Sequence, residues 1–143
     1  MNTNGLVRQL DESECWNRLD SEELGRLALA AGGEVDIFPI NFYSDGESIL
    51  IRTVPGTKLL ELTIRDAVAF EVDGFDSDSA WSVVVKGHAR ELQLRSEIDA
   101  ADALPLTTWI PTPTYRYVRI TPSTLTGIEF LRTRDGERVT GDD

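Results

Sequence analysis

With 143 residues, 41% of them hydrophobic and 27% charged, the chain has the composition of one folded domain rather than of a disordered segment. Its formal net charge of -11, from 25 Asp and Glu against 14 Lys and Arg, argues against broad binding to phosphate backbones, so no nucleic-acid partner is expected. A single cysteine, Cys15, and a single histidine, His88, rule out an intramolecular disulfide, a cysteine metal cluster and a multi-histidine metal site.

Asp11 is placed to cap a helix, with Glu14 as its capping-box partner, and Cys15, Trp16 and Leu19 follow near helical spacing. The period then changes. Leu27 and Leu29 alternate with small alanines, Gly32-Gly33 makes a turn, and Val35, Ile37 and Pro39 continue in period two, which predicts a hairpin. The turn SDGE, Ser44 to Glu47, leads to a third strand, SILIRT. Pro55-Gly56 breaks that strand, and TKLLELTIRD carries Leu59, Leu62 and Thr63 on one side of a helical turn pattern.

In AVAFEVDGFD, Val68, Phe70 and Val72 alternate as in a strand, and WSVVVKGHARELQL reads as a long strand whose Gly87 marks a bulge or bend. SEIDAADAL is a further helix with Ser96 as its cap. LPLTTWIPTPT is a proline-rich connector, and YRYVRITPSTLTGIEFL supplies two last short strands. Residues 132–143 form a polar tail, expected to be disordered, after one domain over 1–131. Strands in runs with turn-length links predict a mainly β fold with a few helices, an antiparallel barrel rather than a parallel crossover scheme. No apolar run approaches the roughly 20 residues of a bilayer span, and the start shows no apolar core of a secretion signal, so the expectation is a cytoplasmic protein without a membrane partner.

The segment RTVPGTK concentrates basic residues in an acidic chain. Arg52 stands near a strand end, and Thr57 is placed to cap a helix whose free N–H groups favour an anion. Lys58 adds a point charge, and the Thr53 and Thr57 hydroxyls are donors. It is not a Walker A loop, and a surface turn with scattered basic residues is the other reading. Pro39, inside a period-two strand, marks either an edge or bulge or a backbone that faces a ligand, with the Asn41 amide on the same face. Trp81 and Ser82 open a strand, and core packing competes there with cover for a ring system, as it does for Trp109 in the connector. Cys15 reads as a small buried hydrophobe, no GxSxG elbow occurs, and the acidic run DGFDSDS reads as a solvated turn rather than a calcium loop.

Together, GRLAL, DIFPINFYSDGESILIRTVPGTKL, VAFEVDGFD, WSVVVKGHA, PLTTWIP and YVRITPSTLTG resemble the pyridoxamine 5'-phosphate oxidase-like family, in its flavin-nucleotide-binding split-barrel branch, from about Leu10 to Phe130. The resemblance implies an antiparallel split β-barrel of six or seven strands that forms a homodimer with FMN at the subunit interface. It places phosphate contacts on Arg52, Thr53 and Lys58 and isoalloxazine contacts on Pro39, Ile40 and Asn41. Trp81, Ser82 and Trp109 approach from across the interface. A small-molecule substrate and flavin chemistry follow, with no catalytic side chain identified; a deazaflavin coenzyme, or a flavin carrier or sensor without turnover, are the alternatives. In many relatives the last strand reads Thr-Gly followed by arginines; here Ile128 and Glu129 follow, which sets a vitamin B6 oxidase behind an oxidoreductase of another substrate.

Overall fold

Strand pairing, more than helix packing, sets the architecture. The computed structural model describes residues 6–63, 67–109 and 114–132. In it β1 (Val7–Gln9), β2 (Leu24–Ala31), β3 (Glu34–Ser44), β4 (Ile49–Thr53), β5 (Ala67–Phe75), β6 (Ser79–Glu91) and β7 (Arg116–Leu131) form one antiparallel sheet, with helices α1 (Glu12–Asp20), α2 (Lys58–Thr63) and α3 (Arg95–Asp102) between them. The order is β1-β7-β4-β3-β2-β5-β6, and β6 pairs again with β7, so six strands close a ring to which β1 is added. The expected antiparallel split barrel is the fold observed.

The ring is split along one edge. β3 pairs with β2 from Glu34 to Asn41 but with β4 only from Phe42 to Ser44. Pro39 falls in the stretch with no partner on the β4 side, the kind of position a sheet tolerates for a residue without an N–H. Inside, alternate residues such as Leu27, Leu29, Ile51, Val72, Val83, Val85 and Val118 fill the core, and Phe42 meets Phe70 edge to face with ring centres 5.0 Å apart. Each such buried side chain contributes about 1.5–3 kcal/mol. A second, smaller cluster of Leu50, Leu92, Ala101 and Tyr117 seats α3.

Local signals in the sequence are mostly realised. The Glu14 N–H donates to Asp11 Oδ1 (2.8 Å) and the Asp11 N–H to Glu14 Oε1 (3.1 Å), closing the capping box; Cys15 and Leu19 are buried beneath it. One strand is unforeseen and two expectations need correction. β1 carries no signal in the sequence, since its three residues are all exposed and pair only with Ile128 to Phe130. Ser96 does not cap α3: Leu94 holds that position with no side-chain hydrogen bond. The last two strands are a single strand of 16 residues: Lys86 pairs with Thr124 and Gly87 with Pro122, so Ser123 is an extra residue bulged out of β7, and the strand continues through the neighbouring proline. The tail read as disordered lies, from residue 133 on, outside the described residues.

Outside the barrel, β3, β2, β5 and β6 present a sheet face bearing Val35 and Ile37, which are 72% and 64% exposed, with Ala28, Ala69 and Val84 beside them. At its centre Arg26 Nη1 reaches Glu71 Oε1 (3.0 Å) and Asp73 Oδ2 (2.7 Å). Partial burial, then the hydrogen bond and charge of Asp73, push the Glu71 carboxyl up to about 7.

Two outcomes follow. Gly87→Ala should destabilise the fold by about 1–3 kcal/mol in denaturant titration, because a Cβ there would lie 2.0 Å from the Thr121 carbonyl oxygen and force β7 away; an unchanged midpoint would mean that the bulge relaxes freely. A carboxyl that holds its proton more tightly in the fold than in the unfolded chain adds stability below the ordinary carboxylate range and loses it as pH rises through about 7. Glu71→Gln should therefore match the parent chain in thermal unfolding at pH 4.5 and exceed it at pH 8, and a difference that does not grow with pH would contradict this.

Candidate functional site

Because β4 ends at Thr53 and β3 has no β4 partner up to Asn41, the chain leaves a cavity of about 200 Å³ between the end of β4, the β3 edge and the segment before β7. Pro39, Ile40, Asn41, Arg52, Thr53 and Tyr115 line it, with Val54, Leu59 and Thr108. Gly56, at φ +75°, lets the chain turn below it, where an L side chain would be strained. Thr57 then caps α2 as the sequence implies: its carbonyl accepts from the Glu61 N–H and its Oγ1 from the Leu60 N–H, each at 3.4 Å. Leu60 and Thr63 face the core. Lys58 is the first residue of α2, and its side chain lies outside the described residues.

Arg52 is the centre of the arrangement. Its Nη2 donates to Thr108 Oγ1, its Cζ stands 4.3 Å from the centre of the Tyr115 ring, and its Nε is buried with no hydrogen-bond partner. Arg8, Arg18, Arg26, Arg90, Arg95, Arg116 and Arg119 each pair with a carboxylate; among the described residues Arg52 has no such partner. A buried donor of a charged group left unpaired is costly, so the site is suited to an acceptor brought by a ligand. Thr53 is buried, with its hydroxyl directed at the Arg116 carbonyl (3.4 Å), so it supports the floor.

Asn41 acts as a clamp. Its Nδ2 donates to the Glu23 carbonyl (3.1 Å) and its Oδ1 accepts from the Trp109 N–H (3.0 Å), which ties the connector to β3 and sets Thr108 beside Arg52. One amide N–H and one lone pair remain for other use. Trp109 joins the site through its backbone, while the residue itself is 60% exposed. Trp81 and Ser82 are not brought into this cavity by a single chain. Trp81 is buried in the core cluster, where a Cβ on Gly74 would lie 2.8 Å from its Nε1, and Ser82 faces the outer sheet surface.

Tyr115 and Thr108 escaped the sequence reading. Tyr115 had a weak signal, since TYRY puts Tyr115 and Tyr117 on one face of an extended segment. Both hydroxyls donate to Asp102 Oδ1, at 3.0 and 2.7 Å, and these bonds, Tyr117 first, hold the Asp102 carboxyl below its usual range. Burial pushes the Tyr117 phenol well above its own. Among the described residues no three of His, Cys, Asp and Glu gather as they would for a metal, and burial raises the Cys15 thiol. In DGFDSDS, Asp76 accepts from the Asp78 and Ser79 N–H groups at 2.8 Å, an ordinary turn. The site can bind an anion beside a flat apolar group; among the described residues it offers no nucleophile with a base.

A family model described as pyridoxamine 5'-phosphate oxidase matches residues 11–134. Among solved structures, a candidate pyridoxamine 5'-phosphate oxidase of Corynebacterium glutamicum is 42% identical with a TM-score of 0.85, covering 94% of this chain and 100% of that one. The FAD-binding protein of Mycobacterium smegmatis is 36% identical with a TM-score of 0.81, covering 88% and 100%. An uncharacterised protein of Mycobacterium tuberculosis is 35% identical over 85 residues, 59% of this chain and 77% of that protein. A match that begins at the capping aspartate of α1 and runs past the end of β7 leaves only β1 outside it, and the chain belongs to the pyridoxamine 5'-phosphate oxidase family.

Proposed function

We propose that the protein binds a flavin nucleotide, FMN, in the cavity at the open β3 edge and serves as an oxidoreductase for a small molecule. The observation that carries this reading is Arg52: a half-buried guanidinium without a carboxylate partner among the described residues, with its buried Nε unsatisfied, beside apolar Pro39 and Ile40. A phosphate monoester satisfies such a fork, and a flat ring suits the apolar wall. The relative from Mycobacterium smegmatis is an FAD-binding protein, and FAD shares with FMN the ring and the first phosphate. A deazaflavin with a longer acidic tail is less well served, because Arg116 beside the cavity is already paired with Glu91 at 2.8 Å.

About 200 Å³ is less than the ~300–1,000 Å³ of a typical ligand site, so one chain encloses only part of such a molecule. A second copy is proposed to complete it, forming a homodimer through the outer face around Val35 and Ile37, with Ser82 of that face approaching from that copy and Trp81, buried in its own core, supporting the strand behind it. When bound, the flavin supplies the transfer of electrons or hydride. Arg52 balances the phosphate charge, Pro39 and Ile40 exclude water, and the Asn41 clamp holds the connector over the entrance. Glu129 is committed to Arg8 (3.0 Å) and Arg18, so neither arginine is free there and an anionic substrate is disfavoured.

Titration with FMN followed by absorbance should saturate near one per chain. Arg52→Ala should weaken FMN at least about tenfold, since hydrogen bonds to charged groups contribute about 1.5–3 kcal/mol, and leave riboflavin within about twofold. Equal loss for both ligands, or none for FMN, would remove the phosphate from this cavity. Bleaching of the bound flavin by NADH or NADPH marks an oxidoreductase; binding without reduction by either favours a carrier.

A further inference from the structure

Arg52 is held by Tyr115, which lines its cavity, and Tyr115 in turn by Asp102 and Tyr117, which do not. The guanidinium carbon stands over the Tyr115 ring, 4.3 Å from its centre, and Nε is left buried without a hydrogen-bond partner. The ring in turn is fixed in two ways: edge to face against Tyr117, with centres 5.3 Å apart, and through its hydroxyl to Asp102 Oδ1 at 3.0 Å. The same oxygen accepts from the Tyr117 hydroxyl at 2.7 Å. Asp102 is the last residue of α3, and the neighbouring Ala101 is seated in the cluster with Leu50, Leu92 and Tyr117. A chain of contacts thus runs from a seated helix to one carboxylate, to a phenol and to the guanidinium.

The chemistry of each link points the same way. A phenol that donates to a carboxylate carries more negative charge on its ring face, which strengthens its hold on a stacked cation. Two hydroxyls spread the Asp102 charge, so the carboxylate supports the site without facing it. An arginine side chain has several free torsions, and fixing them before a ligand arrives removes that cost from binding.

We propose that Asp102, acting through Tyr115, is a positioning residue that fixes the Arg52 fork and gives the cavity its selectivity for a phosphorylated ligand. This rests on the reading of the cavity as a phosphate site. A residue that merely supports the fold would affect a phosphorylated and an unphosphorylated ligand alike, whereas one that orients the fork acts on the ratio between them.

The test is equilibrium titration of the full chain with FMN and with riboflavin. Asp102→Ala should lower FMN affinity about five- to tenfold while riboflavin stays within about twofold, and Asp102→Asn, which still accepts from both hydroxyls, should recover most of the loss. Equal losses for both ligands, or an unchanged FMN affinity, overturn the proposal. If Asp102→Ala does not fold, Tyr115→Phe keeps the ring and drops the hydroxyl; the FMN-to-riboflavin ratio should fall as well, and an unchanged ratio overturns it. A parent chain that does not distinguish FMN from riboflavin defeats the phosphate reading and this inference together. A preference lost in Arg52→Ala but intact in both Asp102 variants defeats this inference alone.

Discussion

The barrel depends on one long strand. β7 pairs with β6 along nearly its whole length, with β4 through Arg116 to Ile120 on its other side, and with β1 through Ile128 to Phe130. Since β4 has only five residues to share between β7 and β3, the ring closes where it holds the core and stays open along β3. The cavity is the direct result of that shortage. Arg52 and Thr53, past the last residue of β4 that pairs with β3, remain held by Tyr117 and Arg116 on β7, so the site is rigid on one flank and unpaired on the other.

Most of the fold was legible because its signals are local. A capping aspartate, a Gly-Gly turn, a Pro-Gly turn and an alternating valine run each act within a few residues, and each appears where the sequence puts it. The failures share a physical cause. Pro122 looks like a strand break until the pairing with β6 shows that it adjoins a bulge at Ser123 in its own strand, and β1 exists only because a sheet edge is free at the far end of the chain. Both depend on contacts that no window along the sequence contains.

The candidate site divides in the same way. Pro39, Ile40, Asn41, Arg52 and Thr53 come from two short segments whose oddities, a proline in a strand and basic residues in an acidic chain, could be seen, and they meet in one cavity. Thr108, Tyr115 and Asp102 come from the connector and the end of α3, some fifty residues further on, and nothing in their own neighbourhood marks them beyond the paired tyrosines. Asn41, expected at a ligand ring, spends half of its hydrogen-bonding capacity on the backbone of Glu23 and Trp109 and keeps one N–H and one lone pair.

The late position of β7 also constrains how the chain reaches its fold. Its pairing with β1 joins residues separated by about the whole domain, and its pairing with β4 spans more than sixty positions. Such distant contacts are made slowly, because loop closure must precede any gain from them. While the chain is being synthesised, β4 and β6 both lack the neighbour that covers them, and the valines of β6 have no barrel to enter. Commitment to the native topology therefore waits for the final strand, and no nascent fragment that stops short of it can seal the ring.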